Sequence, residues 1–156
     1  MKVKFIFSAI IISVLVFVSC KNKDDVTDED CLSIYNIVTD GSANIVGEWK
    51  LVKTFSPRSN QCFDYSKCSV VFEFSSDNIL TISGETIHAL PSFGYNLDKC
   101  SYSFIEPNYQ NGFATLKIHN FYFWHKISAK ELVIDDSPSD GGMYYLVKSI
   151  KKIKSS

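Results

Sequence analysis

The feature that most constrains the fold is a series of short segments in which apolar and polar side chains alternate, beginning at Glu48 and continuing to Ile150. An alternation with period two is the pattern of a half-buried β-strand. Turn-forming residues such as Asn111-Gly112 and Gly141-Gly142 separate the segments. We predict eight strands, over residues 48–55, 69–75, 79–83, 99–105, 113–118, 121–127, 130–134 and 143–150.

The predicted strands follow one another at short spacing, and no helical stretch between them is long enough for a parallel crossover. This pattern predicts an all-β, up-and-down antiparallel sheet. Pairing the last strand with the first would remove both exposed edges and give an eight-stranded β-barrel, whose interior holds side chains or one small ligand. Residues 31–38 are expected to form a short N-terminal helix that caps one mouth, and the irregular residues 85–98 are expected to pack over a mouth.

The first 19 residues differ in composition from the rest of the chain. Lys2 and Lys4 precede an apolar stretch over residues 5–18, which is shorter than the ~20 residues that a membrane-spanning helix needs. A positive start, a short apolar stretch and the small Ser19 are typical of an export signal, so residues 1–19 are predicted to be a signal peptide. The alternative is a membrane anchor that is never cleaved.

Phe17-Val18-Ser19-Cys20 resembles the lipobox of bacterial lipoproteins, with Phe17 at a place where Leu is usual. The resemblance implies cleavage before Cys20, a diacylglyceryl thioether on its sulfur and a fatty acyl group such as palmitate on its new amine. Several acyl chains together anchor a protein stably to a membrane. If the leader is not cleaved, Cys20 is simply the last residue of its apolar stretch.

Residues 20–30 are predicted to be a charged tether between the lipid and one domain formed by residues 31–156. The tether is almost without apolar side chains and cannot bury enough surface to fold. Its Lys23-Asp24-Asp25 resembles the basic-then-acidic export signal of Bacteroidetes lipoproteins, which implies a lipid-anchored protein of the bacterial outer membrane, exposed at the cell surface. A solvated spacer without such a signal is the alternative.

The charge balance argues against one class of partner. The chain has 16 basic and 17 acidic residues, and loss of residues 1–19 removes two lysines and no acids, which gives a formal charge of −3. Electrostatic binding of nucleic acid needs a basic surface, so no nucleic-acid partner is predicted.

Four cysteines remain once Cys20 is assigned to the lipid: Cys31, Cys62, Cys68 and Cys100. In an oxidising compartment they are expected to form two disulfides, and three pairings are open. Cys62 and Cys68 could close one loop locally and leave the other two to pair, or either could join Cys100. A zinc site would usually need a Cys-x-x-Cys pair, which the sequence does not contain.

Gly47-Glu48-Trp49 resembles the Gly-x-Trp signature of the lipocalins. The resemblance implies that Trp49 plugs one end of the barrel and that Lys148, where the family more often has Arg, packs over the indole. Gly47, Trp49 and Lys148 are therefore the expected closure residues, and a ligand would enter at the opposite end. Residues 70–74, 101–104 and 143–148 are similar in order and spacing to lipocalin-like domains of Bacteroidetes lipoproteins, and the resemblance covers residues 45–151.

The aromatic side chains allow three interpretations. One aromatic face could line an apolar cavity, and the candidate lining residues are then Phe72, Phe74, Tyr102, Phe104, Phe121 and Phe123. The same rings could instead fill the barrel as an ordinary core. Residues 121–124, Phe-Tyr-Phe-Trp, place rings on both faces of one strand, so an external patch for a partner is the third interpretation.

No residue pattern in the sequence indicates catalysis or a cofactor. His88, His119 and His125 are scattered along the sequence. His119 and His125 could face each other across a turn, but no third metal ligand is identifiable beside them, and no Gly-x-Ser-x-Gly elbow is present.

We predict a non-catalytic protein that binds a small apolar molecule or a glycan fragment. The alternatives are a protein-interaction or enzyme-inhibitor module with a solid barrel core, and a hydrolase with an unrecognised site. The expected partners are the membrane, through Cys20, and a small apolar ligand or a protein, and the protein is expected to be a monomer.

Overall fold

The computed structural model describes residue 31 and residues 33–84, 99–111, 114–136 and 141–149. Neighbouring strands are antiparallel and follow chain order, with one exception. Among the described strands, β2 pairs only with β1, and β1 pairs next with β3. β1 also pairs with β9, so the eight strands other than β2 close into a barrel, which confirms the predicted all-β fold. The strands are β1 (Gly47–Ser56), β2 (Gln61–Asp64), β3 (Val71–Phe74), β4 (Ile79–Ser83), β5 (Lys99–Phe104), β6 (Leu116–Ile118), β7 (Phe121–Ile127), β8 (Glu131–Asp135) and β9 (Met143–Lys148).

Side chains alternate between the barrel interior and its outer wall, as β8 illustrates. Leu132 and Ile134 belong to the barrel core, whereas Val133 between them belongs to a second buried cluster. Because successive side chains of a strand point to opposite faces, the second cluster lies on the outer wall. The largest fully buried side chains of the barrel core are Trp49, Phe72, Phe74, Phe123 and Tyr144.

The segment expected to cap a mouth lies elsewhere. A 3-10 helix over Ser33–Asn36 starts what we call the N-terminal arm, residues 33–45. Ile34 of the arm packs with Val133 and Met143 in the outer cluster. The short helix therefore covers the barrel wall over β8 and β9, and the expectation that it closes a mouth is wrong.

The path of β1 explains this position. A β-bulge between Leu51 and Lys53 changes the alternation of the strand, so that Phe55 points outward opposite Met143. Phe55, Val133 and Met143 then form an apolar strip on the outer wall, and burial under the arm removes that strip from water. A pattern of single strands does not reveal the strip, because its members come from three strands.

The hairpin of β1 and β2 is a second departure from prediction, since residues 56–67 were expected to be a loop. The first half of β1 pairs with β3, and its second half pairs with β2, from Lys53 opposite Asp64 to Ser56 opposite Gln61. β2 has no apolar alternation of its own and is partly exposed, so only its pairing with the overhanging part of β1 defines it as a strand.

A disulfide fixes the start of the arm, because Cys31 is bonded to Cys62 of β2. This pairing excludes the local closure of Cys62 with Cys68 and a bridge from Cys62 to Cys100. Cys68 and Cys100 are both buried in the barrel core cluster. Two hydrogen bonds hold the arm further along: Lys126 Nζ donates to the Tyr35 carbonyl at 2.9 Å, and the Asp40 N–H donates to the Ile127 carbonyl at 2.8 Å.

Several predicted features lie outside the described residues. These are the signal peptide over residues 1–19, the tether over residues 20–30 and the irregular segment over residues 85–98. Within the described ranges, no helix is long and apolar enough to cross a membrane.

Candidate functional site

The three expected closure residues meet at one end of the barrel. Trp49 is fully buried, and its Nε1–H donates to the Ile45 carbonyl at 2.6 Å. Lys148 lies opposite Trp49 in the β1–β9 register, with Nζ 4.5 Å from the centroid of the indole. Gly47 has φ of +125°, and a Cβ there would come within 3.3 Å of the Lys148 side chain. These contacts bring the three residues together where the last strand meets the first.

The Lys148 ammonium is committed to this closure. Besides the indole, Nζ donates to the carbonyls of Val46 at 2.9 Å and Asn44 at 3.2 Å. Burial lowers the pKa of Lys148. The carbonyl bonds and the ring keep the charged form compensated, as a partly desolvated ammonium requires.

The six candidate cavity-lining residues divide into two groups. Four of them, Phe72, Phe74, Tyr102 and Phe123, belong to the barrel core cluster and pack against neighbouring side chains, as in the edge-to-face contact of Phe74 with Tyr102 at 5.0 Å. Phe104 ends β5 and is 56% exposed, and Phe121 begins β7 and is 43% exposed. The structure therefore does not bring the six together as one lining.

The outer wall of β7 carries the rings that the core does not use. Phe123 points into the core, so Tyr122 and Trp124 on either side of it point outward, and they are 44% and 42% exposed. Residues two apart on a strand are about 7 Å apart along it, so the two rings are neighbours on one surface. We call Tyr122 and Trp124 the β7 face. Lys117 lies opposite Tyr122 on β6, with Nζ 5.5 Å from the centroid of the phenol ring.

A groove adjoins the β7 face. It has a volume of about 340 Å³, at the lower end of the range for small-molecule sites. Its walls come from the β5–β6 connection and from the outward side chains of β6 and β7. We call it the loop groove, and its lining residues are Ile105, Glu106, Asn108, Gln110, Lys117 and Tyr122.

Asn108 gives the loop wall of this groove its shape. Its Oδ1 accepts the N–H of Gln110 at 2.9 Å, and its Nδ2 donates to the Glu106 carbonyl at 3.4 Å. Such side-chain to backbone bonds stabilise a turn locally. A 3-10 helix over Tyr109–Asn111 follows directly. The groove therefore has a wall whose backbone is held in place before any ligand arrives.

A second and larger groove lies near the closed end of the barrel. It has a volume of about 960 Å³ and is lined by Asp40, residues 128–131, Tyr145, Val147 and Lys148. The Tyr145 hydroxyl donates to Glu131 Oε1 at 2.7 Å. Burial, together with the hydrogen bond and charge of Glu131, raises the pKa of Tyr145 to about 12. Tyr145 is therefore bonded to Glu131, and Lys148 belongs to the closure of the barrel.

His125 of β7 is partly buried, and its surroundings are structural. Its Nδ1 lies 2.7 Å from Thr115 Oγ1, and its ring is 5.2 Å from the ring of Phe104. Burial lowers the pKa of His125. A hydroxyl and an imidazole at this distance resemble a nucleophile and its base, but catalysis also needs a group that orients the imidazole. Here an apolar ring packs beside it. Within the described ranges, no group of three or more His, Cys, Asp or Glu could hold a metal ion.

The sequence does not single out the residues of the loop groove. Residues 107–112 lie between two predicted strands, and no sequence pattern assigns a role to Glu106, Gln110 or Lys117. A signal existed in the strand pattern, because Lys117 alternates with buried Leu116 and Ile118 and must face outward. What the sequence could not show is that the β5–β6 connection folds back beside Tyr122.

No protein-family model, no curated protein and no solved structure matches the chain.

Proposed function

We propose that the protein is a lipid-anchored, non-catalytic binding module of lipocalin-like type whose ligand surface is the outer wall at β6 and β7. The observation that carries the proposal is the division of the rings of β7. Phe123 is buried in the core, whereas Tyr122 and Trp124 stay at the surface beside a groove. Large aromatic side chains at a surface, next to a groove that carries several polar groups, are typical of a binding surface.

The interior of the barrel is less favourable as a ligand site. Trp49, Phe72, Phe74 and Tyr144 are fully buried members of one packed cluster. An apolar ligand among them would have to displace side chains from a close-packed core, which destabilises the fold. Binding at the outer wall needs no such rearrangement.

The anchor belongs to the proposal for a separate reason. The leader over residues 1–19, Cys20 and the charged tether over residues 20–30 have the order of an exported lipoprotein. A binding module held at a membrane by acyl chains works at the surface of that membrane, so its ligand would be met at the bacterial outer membrane or outside the cell.

A protein partner is the second candidate for the same wall. Tyr35 of the arm is also exposed; its carbonyl accepts a hydrogen bond from Lys126 of β7, and its ring packs edge-to-face against Phe55. Exposed Tyr and Trp side chains are enriched in protein interfaces. A protein ligand would be expected to cover Tyr35 together with Trp124.

Acrylamide quenching of tryptophan fluorescence tests the proposal, because the chain has two tryptophans in contrasting places. Trp49 is fully buried and Trp124 is exposed, and a Trp124→Phe chain supplies the Trp49 signal alone. The probes are sodium oleate, neutral oligosaccharides and a detergent-solubilised outer-membrane protein fraction. We expect an oligosaccharide or the protein fraction to reduce quenching of Trp124. Binding of oleate that changes Trp49 emission and leaves Trp124 quenching unchanged would contradict the proposal.

A further inference from the structure

We infer that the loop groove and the β7 face together bind a short neutral oligosaccharide, with one sugar ring in the groove against Tyr122 and the chain continuing over Trp124. This inference rests on the proposed function and names its ligand class. It is carried by three properties of the site: its hydrogen-bonding groups, its charge and the spacing of its rings.

The hydrogen-bonding groups of the groove match hydroxyls. Glu106 only accepts, Lys117 only donates, and the amide of Gln110 does both. A sugar hydroxyl is one donor and two acceptors, so it can satisfy each of these groups in turn. An apolar ligand would displace water from these groups and offer them no hydrogen bonds in return, which costs free energy.

The charge of the groove favours a neutral ligand. Its lining holds one carboxylate, on Glu106, and one ammonium, on Lys117, so the two formal charges cancel. The Lys117 ammonium also lies 5.5 Å from the Tyr122 ring centroid, where the ring's electrons attract it. A chain of uronic acids or phosphates would be attracted by the Lys117 ammonium and repelled by the Glu106 carboxylate. This arrangement gives no net attraction to polyanions.

The rings supply the flat contact that a sugar needs. The face of an aromatic ring is electron-rich, and the apolar C–H face of a pyranose carries hydrogens of the opposite polarity. Tyr122 and Trp124 lie on one side of one strand, about 7 Å apart along it. Consecutive sugar rings of a linear chain can therefore meet both rings while the first of them also reaches Gln110 and Glu106.

The groove is also held in shape in advance. The two hydrogen bonds of Asn108 to the backbone of its own turn fix the positions from which Glu106 and Gln110 project. A preformed site loses less conformational entropy when a ligand binds. Asn108 is therefore a positioning residue in this account, and Glu106, Gln110, Lys117 and Tyr122 are the contact residues.

The test is isothermal titration calorimetry of the full chain in a zwitterionic detergent, because detergents with sugar headgroups would compete. The probes are neutral hexasaccharides of glucose, mannose, xylose and galactose, with hexasaccharides of uronic acids for comparison. We expect one neutral hexasaccharide to bind and the uronic acids to bind more weakly. Tyr122→Ala should weaken binding at least about tenfold, which corresponds to about 1.4 kcal/mol. Gln110→Ala should weaken it about threefold to tenfold.

Tyr35→Ala is the matched control, since it removes an exposed ring of the same wall that lies outside the groove and should leave glycan binding unchanged. The inference is overturned if no hexasaccharide binds, if the uronic acids bind more tightly, or if Tyr122→Ala binds as the unmodified chain does. If the protein fraction protects Trp124 from acrylamide while no hexasaccharide binds, the outer-wall function stands and the glycan inference alone fails.

Discussion

Lys148 lies opposite Trp49 across the pairing of the last strand with the first, and its ammonium nitrogen is 4.5 Å from the centroid of the indole. The contact joins the two strands that close the barrel. Nζ also donates to the Val46 and Asn44 carbonyls. These contacts assign the pair a stabilising role in the fold.

Replacement of Trp49 should therefore affect stability strongly. Trp49→Ala removes a fully buried ring and should lower the free energy of unfolding by about 3–5 kcal/mol, measured by urea denaturation. Trp124→Ala is the matched control, because Trp124 is exposed and its loss should change stability by less than about 0.5 kcal/mol. Equal effects of the two substitutions would show that Trp49 does not close the barrel.

Replacement of Lys148 isolates the cation–indole contact. Lys148→Met keeps most of the aliphatic chain and should lower stability by about 0.5–2 kcal/mol. Lys148→Arg keeps the charge and should retain most of that contribution. If the Met and Arg variants unfold at the same urea concentration, the positive charge contributes nothing at this position.

The disulfide between Cys31 and Cys62 should hold the N-terminal arm on the outer wall. The bonded residues are 31 positions apart. Closing a loop of that length restricts the unfolded chain and should raise the free energy of unfolding by about 3–4 kcal/mol relative to the reduced protein. Proteolysis of the non-reduced protein followed by mass spectrometry should give one peptide pair joined through these cysteines. A peptide pair that joins Cys62 to Cys68 or to Cys100 would contradict the structure.

His125 predicts a dependence of stability on pH. Burial keeps the pKa of the folded imidazole below its ordinary value near 6.5. As the pH falls below about 6.5, the unfolded chain takes up a proton that the folded chain does not, so the contribution of His125 is lost as the pH falls. Urea midpoints should decrease between about pH 8 and about pH 5. His125→Gln should flatten this dependence, whereas His119→Gln, in the exposed turn before β7, should keep it.

The lipid anchor is tested by processing of the precursor. Cys20→Ala removes the sulfur that the diacylglyceryl group would occupy, so the precursor should accumulate with its leader attached. Globomycin should have the same effect on the unmodified chain. Normal processing in either case would show that the protein is not a lipoprotein.

The closed barrel could be predicted because the pattern that defines it is local. Each of β3, β4 and β5 has a clear alternation, and the turn of His119 and Asn120 has the positive φ at His119 that a tight turn between strands requires. The contact of Lys148 with Trp49 could be predicted from the resemblance to the lipocalin signature, in which a basic residue of the last strand packs over the Trp of the first. A ring of antiparallel strands brings these together once its ends meet.

The outer cluster and the loop groove could not be predicted because they depend on distant parts of the chain. Phe55 reverses its direction through the bulge at Leu51 and Lys53, and a bulge has no reliable pattern in one sequence. The loop groove forms where the turn held by Asn108 meets Lys117 and Tyr122. The sequence allowed an external aromatic patch at residues 121–124, but it did not indicate which polar residues would lie beside it.

The central claim is that a ligand binds the outer wall and not the interior. Fluorine NMR of protein labelled with 5-fluorotryptophan tests it most directly, because the two tryptophans give one resonance for the closed barrel end and one for the β7 face. Trp124→Phe assigns the two signals. A neutral hexasaccharide that binds should shift the Trp124 resonance and leave the Trp49 resonance unchanged, and sodium oleate should shift neither. A ligand that moves the Trp49 resonance while the Trp124 resonance stays in place would contradict the account.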